Sequence, residues 1–231
     1  MFFFPWEGMV RMKYTVDRAE VRRYMGLRGH TEDTAVERLI DKAIEIVQAA
    51  AVPKHVCREV SFSLQSDAVL FSNQTVRSSS LRAYLDNCSQ AVAFAATLGS
   101  EVDRIITKDS ILHPALAVAE QAAATSLLES YSDACCLKLE LPFLARGLHF
   151  KPRFSPGYAD CPLDSQELLL AYLDAYKRIG LTLTDHCMMT PIKSISAWIG
   201  VSDEESSCTG HGCAVCSKTN CDFRNEGISN E

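Results

Sequence analysis

Apolar residues at 36, 39, 40, 43, 44 and 47 recur every three or four positions, so one stripe of a helix faces a core. Thr31 is the expected cap of that helix, with Glu32 and Asp33 in its first turn and Pro53 as its stop. A shorter helix over 16–28 precedes it and ends at the glycines of 26–29. The pattern then changes period. Residues 56–64 alternate loosely and predict a strand, with 69–71 as its hairpin partner through Ser66 and Asp67. Residues 80–87 suit a short helix. Residues 91–98 (AVAFAATL) are a continuous apolar run closed by Gly99, the pattern of a buried central strand. Ser100 is expected to cap the next helix, and a long alanine-rich helix spans 112–139, ended by Pro142. Its polar positions Glu120, Gln121 and Glu129 interrupt an otherwise small and apolar surface. A helix over 165–178, a short strand over 181–184 and a strand over 194–201 complete the series. Strands and helices do not alternate as βαβ units, so the expected fold class is α+β, an antiparallel sheet with flanking helices.

From Ser202 the composition shifts. Asp203-Glu204-Glu205-Ser206-Ser207 is a polar linker, and residues 208–231 carry too little apolar mass to bury a core. The chain divides into a domain over 10–201 and a cysteine-rich tail over 202–231. In the tail, Cys208, Cys213, Cys216 and Cys221 form C-x4-C-x2-C-x4-C, with Gly210 and Gly212 to let the chain curl. Four thiols at that spacing can reach one centre, and thiolate suits an iron–sulfur cluster or zinc. His211 is a substitute ligand, and an unmetallated redox tail stays open. The other six of the ten cysteines are scattered and read as small core hydrophobes, with Cys161 set apart by its place in a proline-rich loop. That many cysteines in a cytoplasmic protein point to metal or redox chemistry rather than disulfides.

Net charge is −6 and the sequence pI about 5.6, which argues against nucleic acid or an anionic membrane as partner. The apolar opening of the chain is too short for a secretory segment and is interrupted by Pro5, and Met9 or Met12 offers an alternative start. No apolar run approaches a membrane span, so a cytoplasmic protein is expected. Asp185, His186 and Cys187 do not make a nucleophile and base, because neighbours on a strand point to opposite faces.

The most informative segment is 151–162, Lys-Pro-Arg-Phe-Ser-Pro-Gly-Tyr-Ala-Asp-Cys-Pro. Three prolines make it stiff and extended, and Gly157 permits a turn or a close approach. The loop presents a cation, Arg153, and an aromatic hydroxyl, Tyr158. Such a set suits a small ligand with a carboxylate and a flat ring, the arginine gripping the carboxylate with two parallel hydrogen bonds and backbone groups reading a purine edge.

Arg-x-x-Pro-Gly-Tyr-x-x-Cys-Pro resembles the loop of the activation domain of cobalamin-dependent methionine synthase. The likeness continues through Gly180-Leu181-Thr182 and 188–198 (MMTPIKSISAW), covering 151–200, and is diffuse upstream. The resemblance implies that Arg153 holds the carboxylate of S-adenosylmethionine, that the backbone at Ser155 and Gly157 reads adenine or ribose, and that Tyr158 walls the pocket. It also implies a carboxylate from the long helix, Glu129 or Glu120. These are nine residues apart and about half a turn out of phase, so at most one faces the site. The family's tyrosine contact falls on Ile199, and Leu163-Asp164-Ser165 replaces the acidic and histidine residues after Cys-Pro. Without Asp-x-His-x-x-Gly, cobalamin is expected only through a partner. The implied role is an accessory one, methyltransferase association included: methylating and reactivating the cobalamin of a corrinoid protein. The other reading is a non-catalytic docking module with a structural zinc tail.

Overall fold

The structure, a computed structural model, describes residues 14–27, 33–72 and 74–205. In chain order these form α1 (Arg18–Tyr24), α2 (Thr34–Ala50), β1 (Lys54–Val60), β2 (Phe62–Leu64), β3 (Ala68–Phe71), β4 (Gln74–Arg77), α3 (Ser79–Tyr84), β5 (Gln90–Thr97), α4 (Ser100–Leu112), α5 (Pro114–Leu144), β6 (His149–Phe150), α6 (Ser165–Leu173), α7 (Ala175–Ile179), β7 (Thr182–Leu183), β8 (Met189–Thr190) and β9 (Ser194–Ser202). The main sheet runs β1-β5-β9-β6, and each neighbouring pair is antiparallel. The α+β class with flanking helices is what the hydrophobic pattern predicts.

β5 is central because both its faces are apolar. Val92, Phe94 and Ala96 join Ile199, Val201, α5 and the inner faces of α1, α2 and α4 in one core. Ala91, Ala93 and Ala95 join Trp198, α6, α7 and the small sheet β2-β3-β4 in the other. The alanines on this second side leave room for Trp198, which stacks on Phe71 at 4.1 Å and 8°. α5 is about 46 Å long by its 31 residues and lines the whole first core.

Several boundaries differ from the pattern, each for a local reason. α2 is capped by Asp33, whose carboxylate accepts from Ala35 N at 2.7 Å; Thr31 lies outside the described residues. Ser100 is the first residue of α4 rather than its cap, a place taken by Gly99 at φ 87°. The strand expected over 56–64 is two strands in two sheets, and β4 completes the small one. The helix expected over 165–178 breaks at Asp174, which is left-handed at φ 52°. α5 runs past Pro142 to Leu144, since a proline near the end removes only its own donor. Asp185, His186 and Cys187 sit in the turn between β7 and β8, not on a strand.

Candidate functional site

The segment after α5 enters the sheet as β6 and leaves it through an irregularity. Phe150 pairs with Val201, and Lys151 N donates to Gly200 O at 2.8 Å. Phe154 and Trp198 then exchange two hydrogen bonds, of 2.9 and 2.8 Å. Four steps from 150 to 154 oppose three from 201 to 198, so one extra residue bulges out around Pro152 and Arg153. Proline fits there, having no amide hydrogen for the ladder. A regular strand would put Arg153 on the same face as Lys151. The bulge instead turns Arg153 toward α5 and Phe154 into the second core. Tyr84 of α3 holds the distortion, donating from its hydroxyl to Pro152 O at 2.7 Å and accepting from Gly200 N at 2.8 Å.

Arg153 thereby meets two carboxylates one turn apart on α5. Its Nη2 donates to Glu129 Oε2 at 2.7 Å and its Nη1 to Asp133 Oδ1 at 2.7 Å, with Cys136 Sγ at 3.6 Å. The Arg153 side chain is only 11% exposed, against 22% for Asp133 and 38% for Glu129. Burial pushes the Cys136 thiol up, Arg153 partly opposing it. Glu120 faces elsewhere, fully buried among α2, α4 and α5. Of the two helix glutamates it is Glu129 that shares the site with Arg153.

The adjoining turn is built by Ser155, Pro156, Gly157 and Tyr158. Tyr158 N donates to Ser155 O at 3.1 Å, Pro156 stands where φ must be near −65°, and Gly157 takes φ 83°, the pattern of a type II turn. Gly157 N is spent on Cys161 O at 3.1 Å, so this amide ties the loop together. Tyr158 is exposed and stands edge-on to Phe154 at 5.5 Å. The loop is pinned at its far side by Asp160. Its Oδ1 accepts from Ser78 Oγ at 2.6 Å and Ser80 N at 3.0 Å, and its Oδ2 from Ser79 N at 2.8 Å. The Ser78 hydroxyl first, then these amides, hold the Asp160 carboxyl down at about 2. Ile199 is buried in the core on the α5 side.

Asp133, Tyr84 and Asp160 carry no mark in the sequence as site residues; only the four-residue spacing from Glu129 to Asp133 on one helix face hints at a pair. A second concavity, about 420 Å³, lies between α6, α7 and the β7–β8 hairpin, lined by Leu170, Leu181, Leu183, Glu167 and Asp174 among others. It shares no residue with the Arg153 cluster. The scattered cysteines 57, 88, 135, 136, 161 and 187 are not joined in disulfides, Cys135, Cys136 and Cys161 being buried. Among the described residues no group of three or more His, Cys, Asp or Glu side chains is disposed to hold a metal, and no helix is long and apolar enough to cross a membrane. Cys208, Cys213, Cys216 and Cys221 lie outside the described residues.

Residues 143–220 match the family model for the activation domain of vitamin B12-dependent methionine synthase. That stretch takes in the bulge, the 155–158 turn, α6, α7 and β9, and extends into the cysteine tail. Among solved structures the chain is similar to the MetH reactivation domain in its crystal structure bound to AdoHcy, with a TM-score of 0.57 and 14% identity over 89% of this chain and 85% of that one. No curated protein matches. The sequence is thus similar to that activation domain over 143–220, and the fold is similar over most of the chain.

Proposed function

We propose that this chain binds S-adenosylmethionine beside Arg153 and serves the methylation and reactivation of cobalamin held by a separate corrinoid protein. The observation that carries the reading is the cluster of Arg153, Glu129 and Asp133, one cation between two carboxylates beside the proline-rich turn. The cluster sums to one negative charge, and S-adenosylmethionine, with its carboxylate, ammonium and sulfonium, to one positive charge. An amino-acid zwitterion can open such an ion pair without leaving a buried charge alone. Its carboxylate replaces a glutamate on the guanidinium, and its ammonium takes the glutamate released. Glu129 is the partner that moves, being the more exposed of the two acids.

The donor supplies a methyl group on a sulfonium, and the protein's part is to position it. Arg153 orients the amino-acid end, the backbone edge at Ser155 and Gly157 meets adenine or ribose, and Tyr158 walls the open side. The match to the activation-domain family and the AdoHcy bound to the similar structure support this ligand class. Calorimetric titration of the whole protein with S-adenosylmethionine tests it. Saturable binding at one site is expected; no heat and no competition by S-adenosylhomocysteine overturns it.

In the same reading the domain ends near Val201 and the tail carries the four-cysteine metal site. A chain truncated after Val201 keeps a cooperative melt and its ligand affinity. An iron–sulfur cluster on Cys208, Cys213, Cys216 and Cys221 would deliver the electron that cob(II)alamin needs, which zinc cannot. Protein purified without oxygen then absorbs broadly near about 400 nm and contains iron. Stoichiometric zinc without iron sinks the electron role and favours a docking module with a structural tail.

A further inference from the structure

One hydrogen bond of the sheet beside Arg153 is replaced by a side chain. Lys151 N donates to Gly200 O at 2.8 Å, and a regular antiparallel pair would return a bond from Gly200 N to Lys151 O. Gly200 N instead donates to the Tyr84 hydroxyl at 2.8 Å, and that hydroxyl donates to Pro152 O at 2.7 Å. An oxygen atom therefore stands between two backbone groups that a direct bond would bring to about 2.9 Å. The strands are held apart at the place where the extra residue is taken up. Burial pushes the Tyr84 phenol up, with the Gly200 amide pulling the other way, so the hydroxyl keeps the proton it donates.

α3 is built to deliver that hydroxyl. A Cβ at Gly200 would meet Cys88 Sγ at 2.7 Å and Leu85 Cδ2 at 3.4 Å, so the missing side chain is what lets the end of α3 lie this close to β9. The helix has six residues and is fastened at both ends by the segment it acts on. Asp160 takes the amides of Ser79 and Ser80 at its first turn. Lys151 Nζ donates to Tyr84 O at 3.2 Å and Asp86 O at 3.0 Å at its end. A carboxylate at the amides and an ammonium at the carbonyls satisfy the open groups of a short helix. The Tyr84 ring packs on Phe154 with centroids 5.1 Å apart. Tyr84 is thus held from several sides, and the bulge conforms to it.

We infer that Tyr84 is a positioning residue for the ligand site: its hydroxyl, inserted between β9 and Pro152, sets the bulge and with it the direction of the Arg153 guanidinium. The inference rests on the reading of Arg153 as a ligand-binding residue. Tyr84 acts through Arg153 and not by touching the ligand.

Tyr84→Phe removes the hydroxyl and keeps the ring against Phe154. Two measurements on the full chain follow it. The first needs no ligand: the nitrogen-15 NMR signal of the Arg153 guanidinium, identified by its loss in Arg153→Lys, is expected to shift in Tyr84→Phe. The second is calorimetric titration with S-adenosylmethionine, in which affinity is expected to fall about tenfold, the equivalent of one buried hydrogen bond. Val69→Ala serves as a control for lost stability, since Val69 is fully buried in the second core and touches neither α3's hydroxyl nor the bulge. It should leave the Arg153 signal in place and affinity within about twofold. Lys151→Met strips the ammonium from the end of α3 and leaves the hydroxyl, so it is expected to move the signal the same way by less. This variant carries the test if Tyr84→Phe does not fold. An unshifted Arg153 signal in Tyr84→Phe overturns the positioning role, and so does an equal loss of affinity in Val69→Ala. A parent protein that binds no S-adenosylmethionine overturns the ligand reading instead, while the ligand-free signal still decides whether Tyr84 aims Arg153.

Discussion

Glu120 and Glu129 sit on the same helix and meet opposite surroundings. Glu129 looks out at the bulge, where Arg153 neutralises it and about a third of the side chain still reaches water. Glu120 is fully buried between α2 and α4, and neither of its oxygens has a hydrogen-bond partner. Burial, then the neighbouring Asp109 of α4, push its carboxyl up to about 7, with Lys42 of α2 and Lys108 of α4 pulling weakly the other way. Nine residues of helix turn the side chain through half a turn, and that rotation alone separates a paired, partly exposed acid from one that is most stable when protonated. An acid on an apolar helix marks a site only when the fold brings a cation to it.

The sharpest way to break the contrast is to remove that cation. Arg153→Ala leaves Glu129 and Asp133 facing each other half-buried. Affinity for S-adenosylmethionine is expected to fall by about 2–4 kcal/mol in a calorimetric titration. Arg153→Lys should recover little of this, because one ammonium cannot serve two carboxylates with a guanidinium's fork. Unchanged affinity in Arg153→Ala, with the melt intact, removes Arg153 from the ligand site.

Glu120 gives the converse experiment. Its native pKa stands above the ordinary 4.5, so its protonated form is favoured by folding. The stability it allows is complete below about 4.5 and is lost as pH rises through about 7. Glu120→Gln keeps the shape without the charge. At pH 8 the variant should be more stable than the parent by roughly 2 kcal/mol in urea unfolding, and the two should converge by pH 4. A variant less stable than the parent at pH 8 would show that Glu120 is charged and held there by partners.

Both faces of β5, the α+β class and α5 were legible because period and length are local properties. Arg153 and Gly157 were legible because proline and glycine declare a stiff loop on their own. Glu129 could be narrowed only to one of two, and helical phase then required a choice that the position of the bulge makes. The bulge itself left no trace beyond Pro152. Its cause is a register difference against β9, some forty residues away in sequence, and its support is Tyr84 from yet another element. Contacts of that range have no local pattern. The strand break at Ser61 and the helix break at Asp174 escaped for the same reason: neighbours elsewhere in the fold decide which sheet or layer the next residue joins.

The turn next to Arg153 is the next test. A Cβ at Gly157 would meet Leu163 Cδ1 at 3.1 Å, and φ 83° is strained for any side chain. Gly157→Ala is expected to cost about 1–2 kcal/mol of stability by thermal melt. It should also weaken ligand binding, because the turn carries the Ser155 and Tyr158 edge. Loss of stability with full affinity would confine the turn to a structural role.

The smallest effect is expected at Asp160, on the surface at the far side of the loop. Its carboxylate collects Ser78 Oγ and the amides of Ser79 and Ser80, so it fastens the loop to the first turn of α3. Through Tyr84, α3 in turn holds the bulge that aims Arg153. The Asp160 carboxyl is depressed from 3.8 to about 2, so its contribution is present above about 3.8 and lost as pH falls through about 2. Asp160→Asn keeps one acceptor and loses the charge. Its melting temperature should lie slightly below the parent's at pH 6, and the gap should close as pH is lowered toward 2. Because Arg153 sits two steps away along this chain of contacts, affinity for S-adenosylmethionine should drop only modestly. A gap that persists unchanged at pH 2 would mean that the carboxylate's charge is not what fastens the loop.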